Sequence, residues 1–162
     1  MVLNILMHDI KDLETDAVIV GFHEDVRPLK GVAGAVDWLL CGALSLLIIR
    51  KKMRGALGEV ALLTSRGKIP ADKIFMVGLG PRGMSSPESL RAAARAAAAS
   101  AVNAGVASAV LDCFPPGAVP SDDALAAVRE GLAAGAGTHP IDFILLAPDA
   151  AAFERMSRFV RP

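Results

Sequence analysis

The chain has 162 residues, of which 53% are hydrophobic, so it fits one folded domain that can bury a full core without disulfides or bound metal. Basic and acidic residues balance at 17 each, which gives a formal net charge of zero. A nucleic-acid-binding protein normally carries a basic excess, because phosphate neutralisation supplies most of its affinity. The composition therefore argues against a nucleic-acid partner.

Neither a targeting segment nor a membrane span is predicted. The N-terminus lacks the charged start, apolar stretch and small-residue cleavage site of a signal peptide. The most apolar segment, 38–49, is shorter than the ~20 residues that a bilayer requires, so we predict a buried helix there. The two cysteines, Cys41 and Cys113, form no Cys-x-x-Cys pair and have apolar neighbours. We expect them to be buried free thiols in a reducing cytoplasm.

Short apolar runs predict the β-strands. Asp16 precedes a continuous apolar run that ends at Gly21, which is typical of a strand covered on both faces. The strongest run is Ile74-Phe75-Met76-Val77, before Gly78. The predicted strands span residues 2–6, 17–20, 59–63, 73–79, 106–114 and 141–147, and a Pro-Pro-Gly turn at 115–117 closes the fifth.

Helices are predicted between these strands. Residues 31–53 are mostly helical, with a break at Gly42. Ser85, Pro87 and Glu88 form a capping-box pattern before an Ala-rich helix. The other signals are a stop at Gly105, a cap at Ser121 for a helix that fades at 135–137, and a cap at Asp149 for a last helix that reaches about 159.

The alternation of strands and helices predicts the fold class. Strand–helix–strand units place parallel strands side by side and leave the helices to cover both faces. We therefore predict a three-layer α/β/α fold with a mostly parallel or mixed central sheet. The sequence contains no internal repeat and no linker, so we expect a single domain over residues 1–162.

A set of short motifs resembles one known family. In chain order the motifs are Asp16-Ala17-Val18-Ile19-Val20, Val36-Asp37 before Leu39-Leu40 and Gly42-Ala43-Leu44, Gly58-Glu59, Val77-Gly78-Leu79-Gly80, Glu88-Ser89-Leu90-Arg91 and Val128-Arg129-Glu130-Gly131-Leu132. This ordered set is similar to the N-terminal domain of the leucyl (cytosol) aminopeptidases. The resemblance implies a macro-domain-like fold, which in that family is usually fused to a C-terminal catalytic domain that binds two metal ions.

The resemblance carries no catalytic residue into this chain. The catalytic signature Asn-Thr-Asp-Ala-Glu-Gly-Arg does not occur in the sequence. We therefore expect the catalytic domain to be absent, with no catalytic residue, no metal ligand and no cofactor in these 162 residues. The residues themselves offer no Gly-x-Ser-x-Gly nucleophile elbow either.

The first candidate ligand site is the turn that follows the fourth predicted strand. Glycines let backbone N–H groups approach an anion, and a helix N-terminus adds partial positive charge. The pattern is neither Gly-x-Gly-x-x-Gly nor a P-loop, and tight turns need glycine for conformational reasons alone, so we favour a purely structural turn. The candidate ligand-binding residues here are Gly78, Gly80, Arg82, Gly83, Ser85 and Ser86.

The second candidate comprises Gly31 and Gly34 in the stretch Gly31-Val32-Ala33-Gly34-Ala35-Val36. This stretch resembles the diphosphate loop of ADP-ribose-binding macro domains. Those domains carry an asparagine-rich turn upstream, whereas this chain has His23, Glu24 and Asp25 there, and carboxylates repel a diphosphate. We expect residues 23–25 to form a solvated loop without metal, and Asp37 to cap or anchor a helix.

Three hypotheses about function follow. The first is a non-catalytic binding, regulatory or assembly module in the cytoplasm, which acts on itself or on a protein partner such as a separately encoded aminopeptidase catalytic domain. Its surface would be the Ala-rich helix, the 121–135 helix or a sheet edge. The second is a macro-type domain that binds a nucleotide or an ADP-ribose-like ligand between the two glycine loops. The third is a fragment of a metal-dependent aminopeptidase.

Overall fold

A computed structural model of the protein describes residues 1–112 and 120–160. Its central sheet has the strand order β1-β6-β5-β2-β4-β3. Only β3 runs antiparallel to its neighbour, β4, among the strand pairs of the described residues. The strands are β1 (Val2–Leu6), β2 (Ala17–Phe22), β3 (Val60–Thr64), β4 (Lys73–Gly78), β5 (Ser108–Asp112) and β6 (Asp142–Leu146).

Helices cover both faces of the sheet, so the predicted three-layer architecture is confirmed. The helices are α1 (Gly31–Leu39), α2 (Ala43–Ile49), α3 (Pro87–Asn103), α4 (Asp122–Ala136) and α5 (Ala150–Val160). Alternate strand residues point to opposite faces. Ile19 therefore joins the core under α3, α4 and α5, whereas Val20 joins the core under α1 and α2.

Helices α3 and α4 pack closely against each other on one face. A Cβ atom at Gly131 would lie 2.4 Å from the carbonyl oxygen of Arg91, so only glycine fits at this position. The α3 and α4 backbones therefore stack in direct contact.

The predicted caps of α4 and α5 are confirmed: Ser121 accepts the N–H of Ala124, and Asp149 accepts that of Ala152.

The cap of α3 differs from the predicted one by one residue. Ser86, and not Ser85, has the extended N-cap conformation, and its hydroxyl accepts the N–H of Ser89 over 3.1 Å. Ser89 returns the bond by accepting the N–H of Ser86, so the reciprocal partner is Ser89 and not Glu88. Ser85 instead ends a short 3-10 turn, Arg82–Met84. The predicted Pro87 at the helix start is confirmed.

The predicted break at Gly42 is confirmed, because Gly42 is the N-cap of α2, but the prediction that the helical segment 38–49 is buried is wrong. The segment forms the end of α1, a tight corner and α2, and only one stripe of it faces the sheet. Leu44 is fully buried, whereas Trp38 is 80% exposed and Ile49 is 74% exposed. Cys41 lies in the corner with φ 56° and is an exposed thiol, in contrast to the predicted buried one. Cys113, the end of the predicted 106–114 strand and the Pro-Pro-Gly turn lie outside the described residues.

No single helix of the described chain has the length and apolar character needed to cross a membrane. Helices α1 and α2 meet that test only as a pair, and they are bent by 104° at their junction.

Candidate functional site

The turn after β4 uses its backbone N–H groups within the protein. Between Gly78 and Ser86, seven backbone N–H groups donate to protein acceptors, at residues 78, 79, 80, 82, 84, 85 and 86. Gly78 and Gly80 are buried, whereas Arg82, Gly83, Ser85 and Ser86 are exposed. An anion at this turn would therefore have to displace hydrogen bonds that already hold the turn in place.

Packing explains the buried glycines of this turn. A Cβ atom at Gly78 would lie 2.0 Å from the carbonyl oxygen of Ala56, so no larger residue fits. Gly80 has φ 72°, in the left-handed region, and its N–H donates to the carbonyl oxygen of Gly55 over 2.9 Å. Both glycines serve the contact between this turn and the segment before β3.

Carboxylates of the protein accept the backbone N–H groups at this edge of the sheet. The Oδ1 atom of Asp25 accepts the N–H of Arg82 over 2.8 Å, and this bond lowers the pKa of Asp25 below its usual 3.8. The Oε2 atom of Glu59 accepts three N–H groups, those of residues 54, 55 and 56, over 3.0, 2.8 and 3.1 Å. Burial raises the pKa of Glu59, but the three hydrogen bonds together outweigh it, so the pKa lies below 4.5.

His23 is not solvated, so this part of the prediction for residues 23–25 is wrong. The residue is only 6% exposed, and its Nδ1 lies 3.1 Å from the carbonyl oxygen of Gly80. A carbonyl oxygen can only accept, so the proton is on Nδ1, and the buried Nε2 has no partner among the described residues. His23 ties the end of β2 to the turn after β4. Glu24 and Asp25 are exposed, as predicted.

The second glycine loop opens α1 at the end of β2. Gly31 is exposed and has φ 57°, whereas a Cβ atom at Gly34 would lie 2.6 Å from the carbonyl oxygen of Leu29. The N–H of Val32 donates to the Oδ2 atom of Asp112 over 3.3 Å. A carboxylate of the protein thus lies at the N-terminus of α1, where a phosphate would otherwise be favoured.

One of the two glycine loops borders an open depression on the surface. Gly34 lines an open depression of about 670 Å³ on the outer side of α1. Its lining comes from the segment before α1 and from the corner with α2, and no residue of the 78–86 turn contributes. The lining residues are Pro28, Leu29, Gly34, Asp37, Trp38, Leu39, Cys41 and Gly42.

Asp37 fixes the corner between α1 and α2, as predicted for a capping or anchoring residue. Its Oδ1 atom accepts the N–H groups of Leu44 over 2.8 Å and of Ser45 over 3.0 Å. Its Oδ2 atom accepts the hydroxyl of Ser45. Gly42 has φ 82°, which lets the chain reverse direction immediately before α2. A side chain of one helix therefore caps the next helix and sets the corner.

This corner presents large apolar side chains to solvent. Trp38 is 80% exposed, Ile49 is 74% exposed and Leu46 is 42% exposed. The exposed cations Arg50, Lys51 and Lys52 follow directly. These six residues are called the corner patch below. A helix can turn only one stripe of side chains to a sheet. Because residues 43–49 are almost all apolar, the sequence itself indicates that some of these apolar side chains are exposed to solvent.

Within residues 1–112 and 120–160, no group of three or more His, Cys, Asp or Glu side chains has the geometry to hold a metal ion.

The model of the cytosol aminopeptidase family, N-terminal domain, matches residues 19–136. The chain belongs to this family. A curated relative, the probable cytosol aminopeptidase of Geobacter sulfurreducens, is 31% identical over 136 residues, which is 83% of this chain. The chain covers 27% of the length of that relative, so it spans about a quarter of it.

Solved structures support the same fold. A mutant of tomato leucine aminopeptidase superposes with a TM-score of 0.75 at 18% identity, over 99% of this chain and 35% of that protein. A macrodomain of Trypanosoma brucei in complex with ADP superposes with a TM-score of 0.72 at 19% identity, over 98% of this chain and 69% of that one. At these identities the likeness concerns the fold alone, and it confirms the prediction of a macro-domain-like architecture.

Proposed function

We propose that this family member is a non-catalytic binding module that docks through the corner patch onto a cytosol aminopeptidase catalytic domain. The observation that best supports this proposal is the exposure of Trp38 and Ile49, at 80% and 74%, on two consecutive helices. The curated relative from Geobacter sulfurreducens has nearly three quarters of its length beyond the part that this chain covers. A catalytic domain is therefore the partner that the family itself suggests, in the same chain or in another.

The chemistry of the corner patch suits a protein interface. Single exposed apolar residues are common on monomers, but several exposed apolar side chains on neighbouring helices, one of them a tryptophan, are typical of binding sites. Burial of one aliphatic side chain of the size of isoleucine stabilises a complex by about 2 kcal/mol. Asp37 holds the two helices at a fixed angle, so little conformational entropy would be lost when a partner covers Trp38.

The rim of the corner patch predicts the charge of its partner. Arg50, Lys51 and Lys52 are all exposed. Rim charges mainly raise the association rate and set specificity, and added salt screens them. We therefore propose a partner surface with acidic residues around an apolar centre, and an association rate that falls as salt is added. We also propose that the protein is cytoplasmic, because the curated relatives are named cytosol aminopeptidases.

The alternative function is the binding of a nucleotide or an ADP-ribose-like ligand between the two glycine loops. The fold similarity to a macrodomain solved with ADP favours it. Against it, Asp112 contributes a carboxylate at the N-terminus of α1, and the N–H groups of the 78–86 turn are largely used within the protein. These local contacts make the docking module the better supported proposal.

Co-expression with the cytosol aminopeptidase catalytic domain of the same organism tests the proposal. We expect the two to co-purify as a complex of defined mass that retains metal-dependent aminopeptidase activity. The double variant Trp38→Ser with Ile49→Ser should weaken the complex about a hundredfold, because two centrally buried apolar contacts are lost. The control is Leu62→Ser on β3, an apolar residue outside the patch that is 52% exposed.

Two outcomes would contradict the proposal. One is an active catalytic domain that never co-purifies with this chain. The other is a complex whose affinity the double variant leaves unchanged while Leu62→Ser weakens it. A thermal unfolding midpoint close to that of the unaltered protein shows that the double variant is folded, as expected for side chains that solvent already surrounds.

A further inference from the structure

Strand β1 leaves one of its edges open. It pairs with β6 alone, and the bonds to that neighbour use the even-numbered residues: the N–H of Val2 donates to Ile141, and the carbonyl of Leu6 accepts from Ala147, over 3.2 and 2.8 Å. Alternate residues of a strand direct their N–H and C=O groups to the same side. The groups of Leu3 and Ile5 therefore point away from the sheet, where no strand pairs with them in the described part of the chain.

This edge lacks the usual protection against pairing. Natural proteins blunt an open edge with charged side chains, proline or a bulge. Residues 2–6 contain no charged side chain and no proline, and their register with β6 is continuous. Val2, Leu6 and Met7 are also exposed, at 53%, 37% and 51%. The opposite edge, β3, is followed closely by two exposed cations, Arg66 and Lys68, which oppose pairing of that kind.

We infer that the β1 edge pairs with the β1 edge of a second copy, antiparallel about a two-fold axis at Asn4. In that register Leu3 of each copy faces Ile5 of the other, and the two residues exchange both of their backbone hydrogen bonds. The outward groups of Leu3 and Ile5 are then all satisfied, and the full length of the strand overlaps. Shifting the strand by two residues shortens this overlap, so the register centred on Asn4 uses the edge best.

The side chains are compatible with the same arrangement. Asn4 of one copy lies opposite Asn4 of the other, and their amides can donate to each other across the axis. Val2 lies opposite Leu6, so each exposed apolar side chain of the strand gains an apolar neighbour. A charged strand would repel its own copy, whereas this one carries no side-chain charge. These features favour a second copy over a foreign acidic or basic segment.

This self-association is independent of the proposed docking to a catalytic domain. The corner patch is formed by α1, α2 and the three residues that follow α2, whereas β1 is the edge strand of the sheet. One surface can therefore fail its test without affecting the other. If both hold, each dimer presents two corner patches.

Asn4→Lys tests the pairing directly. Asn4 is exposed, so a lysine there is tolerated in the monomer, but in the dimer two like charges would face each other at the axis. Light scattering and sedimentation over a concentration series should show the unaltered protein approaching twice its monomer mass. In the variant, the dissociation constant of the dimer should be higher by a factor of about ten or more. Leu62→Lys on β3 is the matched control and should dimerise like the unaltered protein.

Cysteine cross-linking fixes the register. Opposed residues at such a position have Cα atoms about 4.5 Å apart, within the range that a disulfide spans. In a background in which Cys41 and Cys113 are both replaced by serine, Asn4→Cys should form a covalent dimer on mild oxidation, and Leu62→Cys should not. The inference is overturned if the protein stays monomeric up to millimolar concentration, if Asn4→Lys leaves the dimer intact, or if Leu62→Cys is the variant that cross-links.

Discussion

The carboxylate of Asp112, at the end of β5, accepts a hydrogen bond from the N–H of Val32 at the start of α1. The distance from Val32 N to Oδ2 of Asp112 is 3.3 Å. This contact links two adjacent strands through the first turn of a helix, and it occupies with an acidic group of the protein the place that best suits a bound phosphate. The two proposed functions make different predictions at this position.

Removal of this carboxylate should create anion binding that the unaltered protein lacks. With ADP-ribose at millimolar concentration, we expect no change in the unfolding midpoint of the unaltered protein and a rise for Asp112→Ala. A ligand present at a hundred times its Kd would add about 2.7 kcal/mol, which thermal scanning detects easily. The control is Glu24→Ala, which removes an exposed acid from the same segment between β2 and α1 and should give no rise. A clear rise with the unaltered protein would favour the ligand-binding alternative.

Asp37→Ala should loosen the corner between α1 and α2. Loss of the acceptor for Leu44 and Ser45 should destabilise the domain by about 1 kcal/mol, as for a typical N-cap. Because Trp38 is the only tryptophan of the chain, its fluorescence anisotropy reports the mobility of the corner and should fall in the variant. Asp37→Asn keeps one acceptor oxygen and should lie between the two. Equal stability of all three proteins would contradict the capping role.

Glu59 should contribute stability that acid removes. Because its folded pKa lies below 4.5, its ionised form stabilises the domain fully above pH 4.5, and this contribution is lost as the pH falls through the folded pKa. Glu59→Ala leaves three N–H groups without their acceptor and should cost about 1–3 kcal/mol in urea unfolding at neutral pH. Glu59→Gln should cost less at neutral pH, and its deficit should shrink in acid. A deficit that is constant with pH would refute this account.

Two adjacent serines provide a matched pair of variants at the start of α3. Ser86→Ala removes the hydroxyl that accepts the N–H of Ser89 and should cost about 1 kcal/mol. Ser85→Ala should be nearly neutral, since Ser85 lies outside the helix. Chemical denaturation measures both. The opposite ranking would show that the capping box at Ser86 does not stabilise α3.

Local signals in the sequence predicted most of the elements. The run from Ala17 forms a strand with both faces covered, and Ser121 and Asp149 cap helices as their positions indicate. These predictions succeed because a strand or a cap depends on a few neighbouring residues. The choice between Ser85 and Ser86 failed by one residue because both are serine and each has a polar residue three positions later.

Non-local relationships could not be predicted in this way. The sequence alone does not reveal that β1 pairs with β6, or that Asp112 reaches α1. The exposure of Trp38 and the burial of His23 depend on which elements pack over them, and periodicity carries no such information. The turn after β4 lies where the sequence predicts it, whereas the acceptors of four of its N–H groups, those of residues 78–80 and 82, come from distant segments.

The pairing of β1 with β6 has a consequence for how the protein is made. Residues 2–6 find their partner at residues 142–146, so the first strand leaves the ribosome with nothing to pair with until nearly the whole domain has been synthesised. During translation the N–H and C=O groups along both edges of this mostly apolar strand are unpaired, which favours association between nascent chains. The same separation gives the fold a high contact order, so the closure of the sheet should be slow compared with the formation of its helices.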